Sequence, residues 1–200
     1  MEKELILLYQ EKKKDIQKRL SDFSKLNAEQ EFSEMLFCLL TPQSNAKKCW
    51  QAVKEVQQLA IWKEKEIAKI LRKHTRFHNN KARYVMNSKE TWKRIKDRLN
   101  EQDRIVLRNF IAEKVKGYGL KEAGHFLRNI GKSDNQIAIL DRHILRNLKE
   151  INVIEDEKIK NNKHYLEIEQ KFLKYADKIK IPIDELDLLF WSKENGEIFK

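Results

Sequence analysis

Proline, glycine and cysteine are all scarce in this chain of 200 residues, which holds two prolines, five glycines and two cysteines. With so few helix breakers, and no sustained alternation of polar and apolar residues, strands have little to be built from; the chain is expected to be all-α. Two cysteines cannot furnish a four-cysteine iron–sulfur cluster or a thiolate zinc site. Cys38 sits in the apolar run from Leu36 to Leu40, where a buried thiol in a reducing cytosol is the plain reading. No apolar run approaches the roughly 20 residues a membrane span needs. The charged start, Met1-Glu2-Lys3-Glu4, does not look like a signal peptide, so a cytoplasmic protein with no membrane partner is expected.

What the chain has in abundance is positive charge: 42 Lys and Arg against 31 Asp and Glu, a net +11. That excess favours a polyanion as partner but does not name it, because a lysine- and glutamate-rich heat-adapted surface would look much the same. The hydrophobic content of 40% is enough for one large domain or two small lobes. Apolar residues recur at helical spacing almost throughout. Residues 4–22 read as an amphipathic helix whose Lys12-Lys13-Lys14 run is a solvated face or reaches DNA. Phe32, Met35, Leu36, Leu39 and Leu40 mark a core helix that must stop near Thr41, since Pro42 cannot continue it. Ser44 is the expected cap of the helix that follows. Gly131-Lys132-Ser133-Asp134-Asn135 is a clear loop signal and an expected lobe boundary. Residues 26–134 would then form one helical lobe, with 1–25 and 135–200 forming the other.

Two places carry chemistry. In Lys116-Gly117-Tyr118-Gly119-Leu120-Lys121 a glycine-bearing turn joins two helical patterns: a helix-hairpin-helix. Gly117 and Gly119 would supply positive φ and bare backbone N–H groups, as close approach to a phosphate oxygen requires. Lys121 falls in the first turn of the second helix, where the positive end of the macrodipole disfavours an ammonium. Twenty residues on, Asp141 precedes Arg142-His143-Ile144-Leu145 as a natural N-cap, its carboxylate held ionised by backbone N–H groups. A lysine amine and a pinned carboxylate could meet over one sugar. Between Arg72 and Tyr84 basic and aromatic residues interleave, which suits a polyphosphate with a base stacked beside it; Phe77 reads as a stacking ring or as core. His74 and His78 find no carboxylate to complete a metal site, and no metal is expected.

The run Gly119-Leu120-Lys121-Glu122-Ala123, then His125-Phe126-Leu127-Arg128-Asn129, then Ile139-Leu140-Asp141-Arg142-His143 resembles the helix-hairpin-helix DNA glycosylase superfamily. The best likeness is to its short prokaryotic 8-oxoguanine DNA glycosylase/lyases, the Ogg2 type. It extends from about Phe32 to Lys200 and is tightest over 116–146. The resemblance implies two helical lobes with a cleft between them, and a monomeric repair enzyme of the prokaryotic nucleoid acting on double-stranded DNA that holds 8-oxoguanine or an abasic site. It implies Lys121 and Asp141 as the catalytic pair, with lysine forming a Schiff base and the strand nicked by β-elimination. Phe77 and Trp191 would stack on the two faces of the extruded base, the terminal carboxylate of Lys200 would read its edge, and Asp187, one turn before Trp191, would face the same pocket. Gln43 would fill the gap left in the duplex. Gly117 and Gly119 would hold the strand, with His125 and Arg128 as strand contacts or supports. No cofactor is implied; a monovalent cation at the hairpin is left open.

Two other readings stay beside this one: a glycosylase of the same fold for another damaged base, and a non-catalytic helix-hairpin-helix module that holds DNA for a partner. The first would separate on a panel of single-lesion duplexes. The second would show steep salt dependence and no turnover.

Overall fold

The computed structural model describes residues 2–200, and among them ten helices and no strand are found. They fall into two compact units, one running from Leu26 to Phe126 and the other combining the chain up to Lys25 with everything from Leu127 onward.

The first unit is built on α2 (Ala28–Leu40), which every residue from Ser33 to Leu40 helps to bury. Its start is a reciprocal capping box: Asn27 accepts from the backbone N–H groups of Glu29 and Gln30, and the Gln30 side chain accepts from the Asn27 N–H. It ends at Thr41, as Pro42 requires. Against it pack α3 (Ala46–Gln57) and α5 (His78–Lys96); α4 (Glu64–His74) packs on α3 and α5, and α6 (Arg104–Lys114) on α5. The cap of α3 is Asn45, which accepts from Lys48 N–H at 3.1 Å, and not Ser44. The Ser44 hydroxyl is drawn instead into a polar cluster with Thr75 and the backbone of Arg76. Helix α7 (Leu120–Asn129) begins in this unit.

The second unit is organised on α10 (Ile183–Asn195), whose residues 183–190 are all buried. It packs against α1 (Glu2–Phe23), α8 (Arg142–Glu150) and α9 (Asn162–Lys178). Three buried acids on α10 each meet a donor from elsewhere in the unit. Ser133 Oγ donates to Asp184 at 2.6 Å, Tyr9 Oη to Glu185 at 2.7 Å, and Arg128 pairs with Asp187 at 3.1 Å. Buried carboxylates without such partners would be strongly destabilising, so these contacts fix the helix in rotation as well as position. They also explain where the unit begins. The segment from Leu127 to Ser133 is held to α1 and α10 by Arg128, by Ser133 and by Gly131, where an added Cβ would come within 2.7 Å of Ser24 Cα. The boundary therefore falls inside α7 and not in the loop after residue 131.

Candidate active site

The hairpin between α6 and α7 is anchored at its middle. Tyr118 Oη donates to the Met35 carbonyl at 2.7 Å, and burial pushes the phenol well above its ordinary pKa, so it remains a donor at any working pH. Gly117 has φ +97°, and an added Cβ there would overlap the Tyr84 ring at 2.5 Å; no other residue fits. Gly119 differs from expectation. Its φ lies outside the left-handed region and a Cβ would meet only Glu122 Oε2 at 3.4 Å, so what it offers is a bare approach to its N–H.

That N–H donates to Glu122 Oε2 at 3.1 Å, while Glu122 Oε1 accepts from Lys121 Nζ, also at 3.1 Å. One carboxylate thus ties the amine of Lys121 to the hairpin backbone. Lys121 remains partly accessible, its side chain 23% exposed. Glu122 was not singled out in the sequence, although a glutamate three residues beyond a helix-entering glycine is half of a capping box.

Behind the corner from Thr41 to Asn45 lies a second lysine that sequence reasoning missed. Lys81 Nζ is buried and donates to the carbonyls of Leu40 and Pro42, each at 2.8 Å, to Thr75 Oγ1 at 2.6 Å and to Ser44 Oγ at 3.2 Å. Burial, seconded by the charges of Lys121 and Arg76 and opposed by Cys49, lowers its pKa to about 8. Its pattern in the sequence, a lysine in the first turn of an amphipathic helix, carries no sign of this cage. Gln43, on the corner it braces, is exposed and takes φ +55°. Phe77 is also exposed, at 53%, with φ +58° at the start of α5 and the Arg76 guanidinium 5.5 Å from its ring. A large aromatic held in a left-handed conformation and left in solvent is not a core residue; that alternative is excluded.

His125 and Arg128, expected as strand contacts or supports, are both buried. His125 packs edge-on against Phe37, and Arg128 lies between Asp187 and the Phe23 ring. Arg128 is 2% exposed and is engaged within the unit by Asp187 and the Phe23 ring.

In the second unit Asp141 caps α8. Its Oδ1 accepts from His143 N–H and Ile144 N–H, both at 2.8 Å, and its Oδ2 accepts from the Trp191 indole N–H at 3.3 Å. The Trp191 ring meets His143 edge to face, and His143 Nδ1 lies 3.3 Å from Glu194. Asp187, whose acidic neighbours suggest a solvent-facing helix, is 3% exposed and engaged by Arg128. Lys200 is buried, its ammonium 6.0 Å from the centre of the Phe23 ring.

A family model described as 8-oxoguanine DNA glycosylase matches residues 16–181. The chain belongs to the 8-oxoguanine DNA glycosylase family. An 8-oxoguanine DNA glycosylase/AP lyase of Fusobacterium nucleatum is 39% identical over 98% of this chain and 96% of its own. Among solved structures, the 8-oxoguanine DNA glycosylase of Thermotoga maritima superposes with a TM-score of 0.89 at 31% identity, covering 100% of this chain and 98% of that one. The Methanocaldococcus jannaschii 8-oxoguanine glycosylase/lyase, solved with a 15mer DNA containing 8-oxoguanine, gives 0.87 at 33% identity, covering 100% and 99%. Among the described residues of this family member no three His, Cys, Asp or Glu side chains gather as metal ligands, and no helix is long and apolar enough to cross a membrane.

Proposed function

We propose that this protein excises 8-oxoguanine from duplex DNA and then nicks the abasic strand through a lysine Schiff base, in the cytoplasm of a prokaryotic cell, as a monomer and without an iron–sulfur cluster. The observation that carries the reading is the Asp141 carboxylate. It is an acceptor-only charge, fixed by two backbone donors and by the indole of the aromatic assigned to the base pocket. Preorganised charge of this kind stabilises a cation that develops only in the transition state.

The base is extruded at a cost of a few kcal/mol, recovered by stacking, for which Phe77 and Trp191 are the rings, with the Lys200 carboxylate at the base edge and Gln43 filling the gap in the duplex. Backbone donors of the hairpin turn around Gly117–Gly119 hold the strand, a contact that sets register and reads no sequence. As the glycosidic bond breaks, its electron pair leaves with the base, which takes up a proton, and Asp141 stabilises the positive charge on the sugar. The amine of Lys121 bonds to C1′ and gives up a proton; ring opening then gives the Schiff base. Loss of a proton from C2′ then expels the 3′ phosphate, and hydrolysis of the imine returns the lysine.

Single-turnover cleavage of an 8-oxoguanine duplex, with borohydride present to reduce the imine, tests this. Wild type is expected to cleave and to form a covalent complex; Lys121→Gln is expected to bind the same duplex and form none. Full trapping in Lys121→Gln, or equal cleavage of an undamaged duplex by wild type, overturns the proposal.

A further inference from the structure

Two backbone donors on one oxygen locate a carboxylate without orienting it. Rotation about its terminal sp³–sp² bond is broad and soft, so the second oxygen of an N-capping aspartate is free to swing unless something holds it. In Asp141 that second oxygen has a partner: Trp191 Nε1, 3.3 Å from Oδ2. The donor is itself held. His143 lies against the indole with ring centres 6.1 Å apart and planes at 67°. Glu194, which contacts His143 at 3.3 Å, also accepts from Arg146 at 3.1 Å. Trp191 further stands on α10, the helix that Ser133, Tyr9 and Arg128 fix through its three buried acids. A rigid helix therefore carries an indole whose N–H sets the plane of a carboxylate fifty residues away in the chain.

We propose that Trp191 is a positioning residue for the excision step, its indole N–H aiming Oδ2 of Asp141 so that the ring that receives the base also aligns the charge that helps to release it. This rests on the function proposed above and adds to it a coupling between recognition and chemistry. A base that seats against the indole is met by a correctly directed carboxylate; one that seats badly displaces the ring, and the charge with it. The discrimination then falls on the rate of bond breaking, and not only on binding.

Trp191→Phe separates the two roles, because phenylalanine retains a stacking ring and has no N–H. Single-turnover excision measured over a range of enzyme concentrations on an 8-oxoguanine duplex is expected to show a saturating rate lowered roughly 10- to 100-fold, as for a misaligned catalytic group. The half-saturating concentration should stay within about threefold. Loss of affinity at an unchanged saturating rate would make Trp191 a pocket wall only and overturn the inference. Nitrogen-15 spectra of the wild-type indoles read the contact without relying on a folded Trp191 variant. Of the four tryptophan N–H signals, one should move upfield in Asp141→Ala while the others hold; four unmoved signals would also overturn it. A wild type that fails to cleave the lesion duplex defeats the proposed function itself, and the spectra still report on the contact.

Discussion

Lys81 shows how a single side chain can hold a corner of the fold at a pH-dependent cost. Its ammonium closes the C-terminal end of α2, where unpaired carbonyls favour a cation, yet the site is dry enough to bring its pKa from 10.5 to about 8. Between those two values the unfolded chain holds a proton at this position that the folded protein has released, so stability rises with pH across that window. The contribution is fully present above 10.5 and lost as pH falls through 8, and its limit is roughly 3 kcal/mol. The stability of wild type minus that of Lys81→Met, from denaturant unfolding, is therefore expected to increase between pH 8 and pH 10; a difference that stays flat would place the amine in water. This cage was not legible in the sequence, and the link from Lys121 through Glu122 to Gly119 was signalled only by the spacing of Gly119 and Glu122. Residues 40, 42, 44, 75 and 81 have no pattern in common until three helices converge, and neighbours at i and i+1 do not ordinarily face one another on a helix.

At the scale of elements, the two hairpin glycines divide the work that the sequence assigned to both. Gly117 is needed for its conformation and for the Tyr84 ring beside it; Gly119 has an ordinary backbone and an ordinary neighbour distance. Gly117→Ala is accordingly expected to lower stability by about 2 kcal/mol or more, through strain at positive φ together with overlap. Gly119→Ala should unfold close to the wild-type temperature while weakening DNA binding. Thermal unfolding of the two variants checks the difference, and equal losses would refute it. Helix α10 makes a similar point in reverse. Asp184-Glu185-Leu186-Asp187 has the composition of a solvated helix start, but the unit buries it because Ser133, Tyr9 and Arg128 are brought to the three carboxylates. Burial, seconded by the charge of Asp134, raises the Asp184 pKa, an effect that the Ser133 hydroxyl, the Arg128 charge and the Asn135 backbone oppose.

For the molecule as a whole, the net charge of +11 acts at long range. Its expected signature is binding to duplex DNA whose logarithmic affinity falls linearly with the logarithm of salt concentration, with a slope of roughly −3 or steeper, as when at least three phosphates are neutralised. Fluorescence anisotropy with Lys121→Gln across a salt series measures the slope without turnover. A slope near zero would mean that the charge is surface solvation only. Discrimination of 8-oxoguanine from guanine should depend far less on salt, since phosphate contacts carry no base information.

The helical character of the chain, the stop of α2 at Thr41 and the cap of α8 at Asp141 were readable from the chain itself, because capping, proline stops and apolar periodicity are written within a few residues of where they act. Asp141 was recognisable as a cap for that reason, and Lys121 by its place after the hairpin. The partners of the buried acids, the cage around Lys81 and the indole that meets Asp141 were decided by packing alone. Each joins residues tens of positions apart, or depends on which side of a helix is turned inward, and local pattern carries no record of either.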